Sequence, residues 1–296
     1  MSEHGYQSGR LNLPFVGHCT FAKAPVCTDF ERLDADFAVL GVPNDMGTQY
    51  RPGARFGPRG IREASTLFSF GHSGAYDFED DVEYLPASDV KIVDVGDADI
   101  IHTDMEQSHA NTEYAVRQIL AAGATPIILG GDHSIHDPAM AAYSEQAPLH
   151  IVHFDAHLDF VDERHGVRHG HGNPLRRSSG KSWVTGMTQL GIRNVPSSNR
   201  DDYVSARAAG SKVFRSETSD AWGPKGRSRR LQIRPDATSR SISMASSPPS
   251  HPAPARRATA ASYTTRSSKS CSYWSKRARL SASTSSKSPR TMTQAT

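Results

Sequence analysis

Three short apolar runs, each ending abruptly in a cluster of polar and small residues, constrain this chain more than any other feature. Phe37-Ala-Val-Leu-Gly-Val42 stops at Pro43. Thr125-Pro-Ile-Ile-Leu129 runs into Gly130-Gly-Asp-His-Ser134, and Leu149-His-Ile-Val-His-Phe154 runs into Asp155-Ala-His-Leu-Asp159. Apolar runs of this length, bounded by turn residues, suit buried strands. Lys91–Val95 and Thr188–Ile192 read as two more. Between them lie helix-like stretches: Pro58–Ala64, with proline at a first turn, and His109–Ala122, with Tyr114, Val116, Ile119 and Leu120 at helical spacing and Gly123 as a stop. A helix after His133 extends through Ser144, and another covers Arg200–Ala209. This alternation predicts an α/β protein, three-layered α/β/α with a mostly parallel sheet. In such sheets functional groups gather at the carboxyl ends of the strands, where the polar clusters fall.

The pattern does not last to the end of the chain. Beyond Val213 lie 16 of the 34 Lys and Arg residues but only 3 of the 31 Asp and Glu, which leaves the first 213 residues with ten more acids than bases. That tail is rich in Ser, Arg, Ala, Thr and Pro without a periodic apolar face, and its composition cannot offset chain entropy. The expected division is an N-terminal extension over 1–36, one catalytic-type domain over 37–212, and a disordered tail over 213–296. Cys19, Cys27 and Cys271 make no disulfide framework and no CxxC pair, and are read as free thiols in a reducing compartment. No apolar run is long enough to span a membrane and the first residues do not read as a signal peptide, so the expected location is cytoplasmic.

The chemistry rests on Asp155, His157, Asp159 and His133. Alternate residues of a strand share a face, so Asp155 and His157 project together. Carboxylates mixed with imidazoles suit Mn²⁺ or a similar divalent ion. A lone histidine or aspartate at such a place is more often a satisfied core histidine or a loop cap. Two clusters at two strand ends favour a metal site.

These motifs resemble those of the ureohydrolase (arginase/agmatinase) family over about Phe37 to Gly210. Gly130–Ser134 and Phe154–Asp159 are similar to two of its three metal-binding signatures. Gly41-Val-Pro-Asn-Asp45 and Tyr50-Arg-Pro-Gly-Ala-Arg-Phe-Gly-Pro58 resemble the agmatinase-like branch, and His171-Gly-Asn-Pro174 its active-site loop histidine. The resemblance implies an arginase-like fold and a two-Mn²⁺ centre in which His133 and Asp159 hold one ion, His157 the other, and Asp155 bridges. It implies that a hydroxide between the ions attacks a guanidinium carbon, that Asp159 helps pass a proton to the leaving amine, and that His171 shuttles protons. It further implies a small guanidino substrate and a homo-oligomer, trimer or hexamer. His165 and His169 are more simply solvated loop residues. The segment Phe160–Val167 does not resemble the arginase loop that grips an α-amino acid, which argues against L-arginine; the agmatinase-like motifs point to agmatine, with guanidinobutyrate, guanidine or a proclavaminate-like compound as alternatives.

The family's third signature, an Asp-x-Asp strand, is absent: no aspartate follows Asp236. The genetic code supplies a reason. Joining the last base of each codon to the first two of the next, Ser239 to Lys269 permits a string close to TIDIDGF…IAPGTGTPSHGGF, and Lys287 to Thr296 permits VAPDYDPSD. A diverged protein with a real basic tail is the competing reading, but an ordered series of this kind in one frame points to a frameshift near Val213. The chain then keeps four of six metal ligands and is expected to fold poorly and to have little or no activity. Two other readings are an inactive oligomer partner, and a nucleic-acid binder using Arg227–Arg290 with Tyr263, Tyr273 and Trp274 as stacking groups. The basic tail forms no regular nucleic-acid-binding module.

Overall fold

The computed structural model describes residues 13–68, 75–85, 89–146 and 148–215, and the backbone of 240–245. The strands, in chain order, are β1 (Phe37–Val42), β2 (Ala75–Asp77), β3 (Val82–Tyr84), β4 (Ile92–Asp97), β5 (Thr125–Gly130), β6 (Leu149–Phe154), β7 (Val184–Ile192), β8 (Ser211–Arg215) and β9 (Arg240–Ala245). The α-helices are α1 (Gly57–Ser65), α2 (Met105–Ala121), α3 (His136–Ala141), α4 (Pro174–Ser179) and α5 (Arg200–Ala208).

Two parallel sheets carry the fold, one ordered β4-β1-β5 and the other β8-β7-β6-β9; β2 and β3 form a separate antiparallel hairpin. β1 lies between β4 and β5, and five of its six residues are buried. Its apolar run is what a strand covered on both faces requires. Pro126 cannot donate to a ladder, and β5 tolerates it because β5 is an outer strand of its sheet among the described residues. Leu40, Val42, Val116, Ile119, Met140, Leu149, Ile151 and Met187 belong to one apolar cluster, so residues of both sheets share a core.

Local signals set the helix limits. The Asp104 side chain accepts from Gln107 N and starts α2 four residues before the apolar periodicity becomes visible. Gly123, at φ 80°, ends it. Asn199 and Asp202 form a reciprocal capping box at the start of α5. The helix expected after His133 begins as a 3₁₀ turn, His133–Ile135, and α3 ends at Ala141, short of Ser144. α4 and the β2–β3 hairpin have no clear periodic signal, being only six and three residues long.

An ion pair joins α1 to β4. Arg62 Nε donates to Asp94 Oδ2 at 2.8 Å, and its Nη1 donates to Asp97 Oδ1 at 2.5 Å. Its Nη2 donates to Asp94 Oδ1 at 3.0 Å and to the Gly96 carbonyl at 2.7 Å. The Arg62 side chain is 10 % exposed and that of Asp94 2 %.

Residues 213–215, assigned by composition to the tail, complete β8. Arg240–Ala245 runs parallel beside β6, with Leu149 opposite Arg240 and Phe154 opposite Ala245. The remaining tail positions lie outside the described residues, as do the tail residues of the nucleic-acid reading. Among the described residues no helix is long and apolar enough to cross a membrane.

Candidate metal centre

The site assembles at the carboxyl ends of β5 and β6. After β5 the chain turns through Gly130 and Gly131. A Cβ on Gly131 would stand 1.8 Å from the Asn44 carbonyl oxygen, so only glycine lets this turn pass the end of β1. Asp132 then caps the 3₁₀ turn by accepting from Ser134 N at 2.8 Å and also accepts from Thr48 Oγ1. This fixes the turn that carries His133.

On β6 the period-two alternation places His153 and Asp155 on the same face, both buried. Beyond the strand, Asp155 Oδ1 accepts from His157 N at 2.9 Å. Asp159 sits at φ 49°, a left-handed conformation that aspartate tolerates better than most residues. It returns its carboxylate toward the strand end, and Oδ2 meets His133 Nδ1 at 2.6 Å. His133, His153, Asp155 and Asp159 thus offer ligand atoms that all lie within 4.8 Å of one another.

Three of the four expected ligands, His133, Asp155 and Asp159, are therefore in one cluster. His157 lies at its edge, 29 % exposed, with Nδ1 3.3 Å from Asp155 Oδ1, the carboxylate oxygen turned away from His153. Its Nε2 is 2.8 Å from Asn194 Nδ2, while Asn194 Oδ1 is buried and has no hydrogen-bond partner. Turning that amide over would satisfy Oδ1 with the His157 Nε2–H and leave Nδ1 bare toward the site. His153 was not singled out from the sequence, although its spacing of two from Asp155 on β6 was the available signal.

The electrostatics fit a cation. Two buried carboxylates beside each other are costly without positive charge. Burial opposes a charge on His133, but its hydrogen bond to Asp159 and the charges of Asp159, Asp155 and Asp132 outweigh burial and raise its pKa. The pKa of His157 is raised first by its bond to Asp155. His133 Nε2 is buried without a hydrogen-bond partner. The oxygen and imidazole donors are the set a Mn²⁺-like ion takes.

His171 does not enter the cluster but is tied to it. Its Nδ1 lies 2.7 Å from the Gly47 carbonyl, and a Cβ on Gly47 would touch Ser134 and Asp132. A carbonyl only accepts, so Nδ1 carries the proton and Nε2 is the basic nitrogen. The expected loop Tyr50–Pro58 is held by Asp45, which accepts from Gly53 N at 2.6 Å and from Arg55 Nε at 2.6 Å. His169 bonds Asp137, and His165 lies in an exposed turn at φ 53°.

His136 is buried behind His133, ring edge to ring face at 5.5 Å. Burial first, then the neighbouring imidazoles and Lys181, hold its pKa well below 6.5. The unfolded chain therefore takes this proton before the folded one does. The resulting stability is present above about pH 6.5 and is lost as pH falls, by up to about 1.4 kcal/mol per pH unit. Urea denaturation at pH 7, 6 and 5 is expected to show a smaller fall in His136→Leu than in the unaltered protein. His133 and His157 contribute with the opposite sign in both proteins.

Parallel strands, a core shared by two sheets and a buried cluster of His and Asp at the strand ends define an α/β protein with a side-chain cluster that could hold a divalent metal ion. Residues 35–242 match the Arginase family model, and the chain belongs to that family. It is 37 % identical over 212 residues to a mitochondrial guanidino acid hydrolase of Homo sapiens, covering 70 % of this chain and 56 % of the relative. It is 38 % identical over 183 residues to a mitochondrial agmatinase of Gallus gallus, covering 60 % and 51 %. Among solved structures, proclavaminate amidinohydrolase from Streptomyces clavuligerus aligns at a TM-score of 0.59 and 32 % identity, covering 72 % of this chain and 68 % of that one. The chain thus spans a little over half the length of these two curated relatives.

Proposed function

We propose that this chain comes from an enzyme that hydrolyses a guanidino compound to an amine and urea at a two-metal centre, and that its catalytic centre is incomplete as translated. The observation that carries the reading is the His133–Asp155–Asp159 cluster in a chain of this family. His133, Asp155 and Asp159 would hold one divalent ion, and His157 would help to hold a second; Mn²⁺ suits these donors. Such ions, when bound, acidify water and offset negative charge. Asp155 and Asp159 orient the site, Asp159 hydrogen-bonds the attacking group, and His171 moves protons through Nε2. Asp159 and His171 are the residues proposed to handle protons.

The frameshift is part of this proposal, and β9 supports it. Read one base out of frame, the codons open to Ser239–Ser246 permit a stretch bearing Asp-x-Asp. That stretch runs beside β6, the strand leading to Asp155. A carboxylate pair placed there supplies the ligands the translated chain lacks.

The agmatinase-like loop at 50–58 favours agmatine, giving putrescine and urea, with the family's homo-oligomeric state, trimer or hexamer, and cytoplasmic location as parts of the same reading. One observation favours a guanidino acid instead. Arg168 of the loop after Asp159 and Arg176 and Arg177 of α4 all converge on the single carboxylate Asp162. The positive excess there suits a substrate with an anionic tail. Urea release by frame-restored protein, measured with agmatine, 4-guanidinobutyrate, guanidine and L-arginine, decides between them. Agmatine is expected to be the fastest substrate and L-arginine to be inert. A preference for guanidinobutyrate would transfer the reading to the guanidino acids, and no urea from any of them would end it.

A further inference from the structure

His153 belongs geometrically to the metal cluster, yet its hydrogen bonding gives it a different role. Gln189 on β7 lies beside it, and both side chains are fully buried. Gln189 Nε2 is 2.7 Å from the Leu158 carbonyl, which can only accept. That contact fixes the amide orientation: Nε2 is the nitrogen and Oε1 accepts from Ser211 Oγ at 2.8 Å. The second hydrogen on Nε2 then points to His153 Nδ1, 3.2 Å away, which must accept it. A neutral imidazole whose Nδ1 accepts carries its proton on Nε2. That Nε2 is buried 3.3 Å from Asp155 Oδ2 and completes no hydrogen bond, with Asp155 or with any other group.

We propose that Ser211, Gln189 and His153 form a positioning row across β8, β7 and β6 that presents an Nε2–H donor to the Asp155 carboxylate, and that His153 is not a metal ligand. A nitrogen that bears a hydrogen cannot coordinate a cation. The ring stacks on His133 at 5.2 Å, 15° from parallel, so it can turn little without disturbing that ligand. The donor biases which Asp155 oxygen is shared with His133 and leaves Oδ1 to the His157 side. Outer hydrogen bonds of this kind orient carboxylate ligands and tune affinity. The assignment of His153 as a non-ligand rests on the metal-centre reading above, whereas its tautomer does not.

The test has two arms. In the first, ¹⁵N NMR of the histidine-labelled, unaltered full chain without metal reads the tautomer directly. A bare Nδ1 and protonated Nε2 on His153, unchanged on adding Zn²⁺ as a diamagnetic probe, is the expected result. A protonated Nδ1, or an Nε2 that loses its proton to Zn²⁺, overturns the proposal. In the second, Gln189→Glu places an acceptor opposite Nδ1 and draws the proton there. Zn²⁺ affinity by equilibrium dialysis is expected to drop about 10–100-fold, with Ser211→Ala giving a smaller loss in the same direction. Unchanged or tighter binding in a variant with unaltered melting overturns the role of Gln189. Should Gln189→Glu fail to fold, Ser211→Ala and the tautomer of the unaltered chain still decide. Zn²⁺ failing to bind a chain with the expected tautomer would count against the metal centre and against His153 as a tuner of it, and not against the row itself.

Discussion

Protein with this literal sequence is expected to release urea at a rate about 10³-fold or more below that of the same protein with the alternative frame restored from Val213. On the proposed reading His133, Asp155 and Asp159 would hold one ion, and His157 would add a single nitrogen at the edge. On the same reading the literal chain lacks a bridging carboxylate and a terminal one, and with them the second ion's share of charge stabilisation. Several kcal/mol of transition-state stabilisation corresponds to about three orders of magnitude, since each 1.36 kcal/mol is tenfold. The measurement is Mn²⁺-dependent urea production by both proteins at equal concentration, with bound metal counted by dialysis. The restored protein should hold two ions per chain and the literal one at most one. Equal rates would show that the translated tail completes the site by other means.

Loss of the Arg62 ion pair should cost more stability than any surface change. Arg62→Ala leaves Asp94, 2 % exposed, without its guanidinium, and removing one partner of a buried pair costs about 3–5 kcal/mol. Asp94 also accepts from Phe21 N and Gly96 N, so those turns are expected to loosen with it. Urea denaturation of the variant should show a midpoint shift of that size. Lys91→Ala, which breaks an exposed pair with Asp34, should leave the midpoint where it was. A shift in Arg62→Ala no larger than in Lys91→Ala would mean that Asp94 regains solvent at no cost.

The strands were legible because their residues carry their own burial signal. Phe37–Val42 is apolar over its full length and Leu149–Phe154 is apolar except for His150 and His153, and both appear with those limits. α2 was legible over its apolar face and missed at its start, where one capping aspartate, not periodicity, sets the boundary. His133, Asp155 and Asp159 could be named from spacing because a turn or a strand end fixes each locally. His153 and Gln189 could not, since a buried histidine in an apolar strand looks like core until the strand beside it is known. Arg62 likewise reads as a surface residue of a short helix until β4 brings Asp94 and Asp97 against it.

The sequence by itself therefore determined the order of strands and helices, the family to which residues 35–242 belong, and the residue types of the metal centre. These follow from periodicity, turn chemistry and short spacings, which are properties of neighbours along the chain. Only the tertiary structure decided which imidazole faces which carboxylate oxygen, that His157 stands at the edge and His153 within the cluster, and that Gln189 assigns the proton on His153. Those relations depend on the lateral register of parallel strands whose paired residues lie 35 or 36 positions apart in sequence. Parallel pairing is set by crossover connections and shared burial, so no short stretch of sequence encodes it.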